Sequence, residues 1–460
     1  MILAAVLALA WAAARAQLQS VTVDEADSYL LYVAPGWAAV FRPGSANHLL
    51  NTLLTRIVTT ALGLSHLTLR APALLGAGLY VAFSLGICAI VSPRPSIRWP
   101  LFVCLAFNPF VMDYLVAARG YGLALGFLMA AIWGLARSRY GVASACAGLS
   151  FCANFSFAYV AAGVIVIASV RAWRETKGWR APSSALVAGI GLPLTLCGWT
   201  LSRWPPGELS YGGTRLAETW TSIASATFDE WNPALLTPSL GPLVEALRSA
   251  LPLLFAAIAA WQTGRVVRSR QPLGLALAAT GLIALVGHWL QFRLAAIPLP
   301  LERTGIFFVP LAILLVGLGA ALPATSRPAQ VARRAAVAAL GLSALYFVGC
   351  LRLSYFREWR FGAEGKAAFV ALSRSPGPRP LRDVGADWRY SDALNFYRVC
   401  LRHPEIGPVS RGAPMAPGRS AYVLYLPEAR EFIRKQGLRV IYRGPRTDVV
   451  VAIPAPVHPE

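Results

Sequence analysis

The chain opens MILAAVLALAWAAARAQLQSVTVDEAD over residues 1–27, and the reading of this stretch decides the fold. Residues 1–18 are an apolar run whose only charge is Arg15, which marks them as a first membrane span. Asp24, Glu25 and Asp27 follow almost at once. Three carboxyl groups beside a membrane are costly unless they bind a cation, move a proton or pair with a base. The plain alternative is acids at a helix start on a solvated loop. Ala14-Arg15-Ala16 faintly resembles a signal cleavage site, but no basic segment precedes the apolar run. Either way the acids are expected on the extracytoplasmic side.

Working outward, the whole chain is greasy. Of its 460 residues 56% are hydrophobic and 14% charged, where a soluble chain carries about a quarter charged. Apolar runs near twenty residues recur, which predicts a polytopic α-helical membrane protein of about eleven spans. The net charge of +21 would suggest nucleic acid in a soluble protein. Here much of the Arg and Lys sits in short loops between apolar runs, the pattern of cytoplasmic loops, so no nucleic-acid partner is expected. Six of the seven cysteines lie within apolar runs, and none has a metal-ligand spacing.

The spans are expected near 1–18, 69–91, 99–112, 120–136, 141–153, 157–172, 184–203, 245–262, 272–291, 305–322 and 335–352. Asn154 breaks the fifth run from the sixth, which read as two short spans, with one long tilted helix as the alternative. The first outer loop, 20–66, carries apolar residues at helical spacing from Asn47 to Leu64, which fits a helix lying in the membrane surface, with a short spanning helix as the alternative. Loops assigned inside carry about twice the Arg and Lys of the outer loops, so the orientation rule is met. Residues 1–352 then form the membrane domain and 353–460 a small extracytoplasmic α/β domain. In that domain 421–426 and 448–453 read as strands and 428–436 as a short helix. Pro376, Pro378 and Pro380 punctuate an exposed loop there.

Few residues stand out as chemistry. Asp24 and Asp27, three apart, share a helical face, and Glu25 points elsewhere. A carboxylate at a dry interface can deprotonate a hydroxyl. His48, within Asn47-His48-Leu49-Leu50-Asn51, reads either as ligand or proton partner or as an ordinary hydrogen-bonding residue. Asp113 and Arg119 flank one turn, either as a carboxylate with a phosphate-holding cation or as a structural ion pair. Arg303, in a proline-rich turn, reads as a clamp for a lipid phosphate or as an interfacial anchor. His288 and Arg293 are weaker candidates, and Trp204, Tyr211, Trp220, Trp231 and Trp289 read first as membrane-belt aromatics.

The order of these motifs resembles the GT-C superfamily of membrane glycosyltransferases, which includes protein mannosyltransferases of the family 39 type and aminoarabinose transferases. The Asp24-Glu25 pair after the first span is followed by Asn47-His48-Leu49-Leu50-Asn51, with leucine where proline is usual. Then come Leu69-Arg70-Ala71-Pro72-Ala73-Leu74-Leu75-Gly76, the turn Ala118-Arg119-Gly120-Tyr121 and the loop Pro300-Leu301-Glu302-Arg303-Thr304. The resemblance implies an enzyme moving a sugar from a polyprenyl-phosphate donor to a glycan, lipid or protein acceptor, with inversion, outside the plasma membrane. It implies Asp24 as base, with Glu25 shaping the site. It implies His48, Asn51, Asp113, Arg119, Tyr121 and Arg303 in substrate binding. A divalent metal is left open, with Glu25 and His48 as candidate ligands. The rivals are a lipid or sugar transporter, an envelope assembly factor, and an oligosaccharide polymerase or ligase.

Overall fold

The structure is a computed structural model that describes residues 1–375 and 380–455; Pro376 and Pro378 of the expected proline loop lie outside these. It divides into two compact units, each assembled from separate stretches of chain.

The first unit comprises 1–14, 41–54 and 70–352 and is all helical apart from one isolated β-bridge. A helix lies at each of the eleven apolar runs, although the third, expected at 99–112, is divided at Asn108 between Pro95–Ala106 and Pro109–Tyr114: Ile2–Leu18, His66–Val91, Pro95–Ala106, Tyr121–Ala136, Tyr140–Ala153, Ala158–Thr176, Arg180–Leu201, Gly241–Arg268, Pro272–Ala295, Phe308–Ala321 and Arg327–Gly349. Among the described residues six helices are long and apolar enough to cross a membrane, or seven if Ile2–Leu18 and Val23–Val33 form one broken span. The chain is therefore a multi-pass membrane protein. Tyr121–Ala136, Tyr140–Ala153 and Phe308–Ala321 are apolar but have 16, 14 and 14 residues. At about 1.5 Å per residue such helices fall short of a hydrocarbon core of roughly 30 Å.

Small residues set one close helix crossing. A Cβ added to Gly76 would lie 2.2 Å from the Gly122 carbonyl carbon, and one on Gly126 2.5 Å from the Gly76 oxygen. Van der Waals contact of bare backbone is how helices associate where lipid is as apolar as the side chains. This fixes the start of helix Tyr121–Ala136, where the turn bearing Arg119 enters.

The second unit comprises 15–40, 55–69 and 353–460, so much of the first loop belongs with the C-terminal region. Its sheet has four strands in the order β1-β2-β4-β3, with β1 Val384–Ala386, β2 Ala421–Tyr425, β3 Leu438–Arg443 and β4 Val449–Pro454. Strands β1 and β2 are parallel, as the intervening helix Trp388–Cys400 allows, and the other pairs are antiparallel. Tyr422 and Leu424 alternate on one face with Val450 and Ala452 and bury against Ala429 and Phe432 of helix Leu426–Lys435. The strands expected at 421–426 and 448–453 are β2 and β4. The short β1 and β3, whose Arg439 and Val440 are exposed, carry too little apolar alternation to stand out in the sequence.

Hydrogen bonds tie the loop segment into this unit. The Val21 amide donates to the Tyr397 hydroxyl at 2.8 Å, Gln19 Nε2 to the Tyr355 carbonyl at 3.0 Å, and Ser20 Oγ to the Ala363 carbonyl at 2.7 Å.

Candidate functional site

In the first unit the turn Ala118-Arg119-Gly120-Tyr121 is held by its glycine. Gly120 has φ +74°, and a Cβ there would meet the Ala153 carbonyl oxygen at 2.1 Å and the His48 Cβ at 3.0 Å. Only glycine allows that backbone and that approach without strain. Asn154, fully buried, ties three segments together. Its Oδ1 accepts from the Ser156 amide at 3.0 Å and from Ser156 Oγ at 2.7 Å. Its Nδ2 donates to the Arg119 carbonyl at 3.2 Å and makes a longer contact of 3.4 Å with His48 Nε2.

His48 precedes helix Leu49–Leu62 and is 7% exposed. Asn47 anchors the approach: its Nδ2 donates to the Arg42 carbonyl and its Oδ1 accepts from Thr52 Oγ1, both at 2.8 Å. The Asn154 amide, oriented by Ser156, makes His48 Nε2 the acceptor and places the proton of the neutral ring on Nδ1. That Nδ1 is buried and has no hydrogen-bond partner among the described residues. Burial, then the charges of Arg119 and Arg303, hold the His48 pKa well below the ordinary histidine value. His48 is therefore a neutral donor at physiological pH.

The loop at Arg303 is built by local hydrogen bonds. Thr304 Oγ1 accepts from the Leu301 amide and donates to its carbonyl, each at 2.9 Å, and the Glu302 amide donates to Ser222 Oγ at 3.0 Å. Gly213 and Leu299 exchange backbone hydrogen bonds of 2.8 Å in both directions. This places the Tyr211 ring under the Arg303 guanidinium, 4.7 Å from its centroid. Glu208 accepts from the Ser45 amide at 2.8 Å.

These pieces enclose a cavity of about 320 Å³. His48, Arg119, Tyr121 and Arg303 line it, so four of the six residues singled out for substrate binding converge on one space. His288 also lines it, edge-on to Tyr159 at 4.8 Å, with a buried Nε2 that has no partner among the described residues. Phe151, Phe155, Trp204, Pro298 and Pro300 supply apolar wall. The cavity thus pairs two guanidiniums, the His48 and His288 imidazoles and the Glu208 carboxylate with greasy sides. Such a space suits the phosphate end of a lipid, the cations meeting the charge and the walls the chain.

Asn51 and Asp113 do not line the cavity. Asn51 Nδ2 reaches the Ala118 carbonyl at 3.5 Å, against the back of the turn. Asp113, 4% exposed on the short helix Pro109–Tyr114, pairs at 3.8 Å with Arg352, which also pairs with Asp229 at 2.5 Å. This ion pair joins Asp113 to Arg352, a partner that the sequence did not suggest. Glu208, Asn154 and Tyr211 were not singled out by the sequence for this site. Only the Asn154-x-Ser156 pattern, a side-chain turn, hints that Asn154 does more than break a helix.

The second unit carries Asp24 and Glu25 on helix Val23–Ser28. Thr22 caps it: Thr22 Oγ1 accepts from the Glu25 amide at 3.1 Å, and Glu25 Oε2 accepts from the Thr22 amide at 2.9 Å. The buried Glu25 carboxylate is thus engaged by the helix start, a role that the Thr22-x-x-Glu25 spacing announces. Asp24 and Asp27 share the outer face and line a second cavity of about 250 Å³ with Val23, Trp388 and Arg411. Among the described residues no three His, Cys, Asp or Glu side chains are grouped to hold a metal ion. The structure places Glu25 in the second unit and His48 in the first.

No protein-family profile matches the sequence, and no curated protein matches it. Solved structures do. The chain is similar to the crystal structure of ArnT from Cupriavidus metallidurans in the apo state, with a TM-score of 0.53 and 12% identity over 99% of this chain and 97% of that one. The same protein bound to undecaprenyl phosphate matches with a TM-score of 0.49 and 13% identity, over the same shares. ArnT is an aminoarabinose transferase of the GT-C type, and at this identity what the two chains share is the fold.

Proposed function

We propose that this chain is an integral-membrane glycosyltransferase that moves a sugar from a polyprenyl-phosphate donor to an acceptor hydroxyl on the extracytoplasmic side of the plasma membrane. The observation that carries this reading is the 320 Å³ cavity, where Arg119 and Arg303 meet a neutral His48 within an aromatic and proline-lined wall. The GT-C-type fold supports the architecture. All eleven apolar helices are read as crossing the membrane, the short ones where it thins or where neighbours cover their ends. The C-terminal unit is then outside.

The chemistry follows from charge. Asp24 takes the proton from the acceptor hydroxyl, and the oxygen attacks the anomeric carbon of the donor. The bond from that carbon to the phosphate oxygen breaks, with inversion, and its electron pair leaves on the polyprenyl phosphate. The phosphate gains a negative charge as the bond breaks. Arg119 and Arg303 are fixed cations for that charge, and they cost no reorganisation at the moment of reaction. His48 Nδ1–H adds a neutral donor. Asp24 later returns its proton to solvent.

The test is transfer in membranes supplied with a radiolabelled polyprenyl-phosphate sugar. Replacing one transition-state donor typically costs about 10²–10³ in rate. Arg119→Ala is expected to lower transfer by about 100-fold with the protein still inserted. Transfer within threefold of wild type from that variant would remove the cavity from the reaction.

A further inference from the structure

The second cavity, about 250 Å³ in the second unit, has no part in holding a lipid phosphate. Its lining is Val23, Asp24, Asp27, Trp388 and Arg411. Two carboxyl groups face one guanidinium, a balance that disfavours an anionic ligand. The wall also carries a large aromatic surface. Trp388 is 52% exposed, unusual for an indole in a folded α/β unit.

That indole is held in place from behind. It opens helix Trp388–Cys400, which Asp387 caps by accepting from the Arg389 amide at 3.0 Å. The Arg389 guanidinium stacks over the Trp388 ring at 5.1 Å and is itself fixed by Asp387 at 2.9 Å and Glu428 at 2.8 Å. The Phe361 ring lies 5.8 Å away. Opposite, Arg411 is clamped by two partners. Its Nη2 donates to Asp27 Oδ1 at 2.7 Å, and its Nε donates to Asp392 Oδ2 at 3.0 Å. The pocket therefore presents a fixed aromatic face beside an ordered rim of acceptors and a donor.

We propose that this pocket binds one neutral sugar ring of the acceptor, stacked on Trp388, with its hydroxyls bonded by Asp27 and Arg411. The apolar face of a sugar ring carries weakly positive C–H groups that match the negative face of an indole. The ring's edge carries hydroxyls that both donate and accept, as this rim does. The volume sits just below the range of about 300–1,000 Å³ typical of drug-sized ligands, which fits a single ring rather than a longer glycan. Asp24 lines the same pocket, so a hydroxyl of the bound ring is presented to the group assigned above as base. In that respect the proposal rests on the glycosyltransferase reading; the binding itself does not.

The experiment uses the full chain in lipid nanodiscs, free of sugar-headed detergent. Methyl α-mannopyranoside and methyl β-glucopyranoside serve as probes in saturation-transfer NMR. Wild type is expected to saturate the ring C–H protons of at least one probe. Trp388→Ala is expected to reduce the effect at least fivefold, and Trp388→Phe to keep about half of it. Hydrogen exchange on wild type gives a readout that needs no variant: bound probe is expected to slow exchange within 22–28 and 387–392. No saturation transfer to wild type, equal transfer to Trp388→Ala, or no protection of those segments would each overturn the proposal. Asp24→Asn separates the two readings. If it keeps probe binding yet loses transfer, both stand. If it keeps full transfer, the assignment of Asp24 fails, and the sugar site stands or falls on the NMR alone.

Discussion

Substituting Gly120 by alanine tests whether the turn between Arg119 and Tyr121 is built as described. Two costs are legible. The residue has φ +74°, a left-handed conformation that costs an L-residue about 1–2 kcal/mol. The new Cβ would lie 2.1 Å from the Ala153 carbonyl oxygen and 3.0 Å from the His48 Cβ. The nearer neighbour is backbone, so the turn must retreat by about an ångström or more, and overpacking of this kind costs about 1–3 kcal/mol. Together these give a loss of about 2–5 kcal/mol, a melting point lower by roughly 2–5 °C in a chain of 460 residues. The retreat displaces Arg119 and His48 as well, so donor binding is expected to weaken. Gly78→Ala is the control: Gly78 lies in helix His66–Val91, where an added Cβ meets nothing within 4 Å and alanine is the better helix former. The assay is thermal unfolding in detergent alongside donor titration. A Gly120→Ala protein that melts within 1 °C of wild type and binds donor equally would show that the turn is not packed in this way.

Three further outcomes follow from the same geometry. Arg303→Ala is expected to raise the apparent KM for the donor about tenfold or more. Tyr211→Leu, which removes the cation–π support worth about 0.5–1 kcal/mol at an exposed site, should raise it two- to fivefold; equal effects of the two would contradict the assignment. His48 makes stability depend on pH. Its folded pKa lies below the unfolded value of about 6.5, so its contribution is complete above that pH. On acidification the unfolded chain takes the proton first, and stability falls by up to about 1.4 kcal/mol per pH unit until the folded pKa is reached. His48→Gln should flatten the melting curve between pH 7 and 5, and an unchanged slope would show that His48 is not held neutral. Arg352→Met removes a shared cation from the buried carboxylates of Asp113 and Asp229, and is expected to lower thermal stability with little change in donor KM; an unchanged melting point would show that the pairing carries no stability.

Much of the helical framework was legible because lipid imposes a simple rule: each crossing segment must be long, apolar and internally hydrogen-bonded. The eleven helices lie where the apolar runs fall, and the break at Asn154 is real. The helix from Asn47 onward was legible as Leu49–Leu62, by its periodicity. Four cavity residues, His48, Arg119, Tyr121 and Arg303, stood out as polar islands in a greasy chain. Other partners did not, because they meet only through the fold. Glu208 reaches Ser45 across more than 160 positions, and Arg352 reaches Asp113 across more than 230. No local pattern encodes such a pairing. Glu25 is the opposite case: its capping role was written in Thr22-x-x-Glu25, and the interest of three adjacent acids hid it. The joining of 15–40 and 55–69 with the C-terminal region depends on hydrogen bonds such as Val21 to Tyr397, which linear order cannot show.

The central claim is that Asp24 accepts the proton while the cationic cavity receives the lipid phosphate. Single-turnover transfer from a labelled polyprenyl-phosphate sugar, measured with donor affinity on the same Asp24→Asn preparation, tests it most directly. Transfer is expected to slow at least a thousandfold with donor affinity within twofold of wild type. A rate near that of wild type would contradict it.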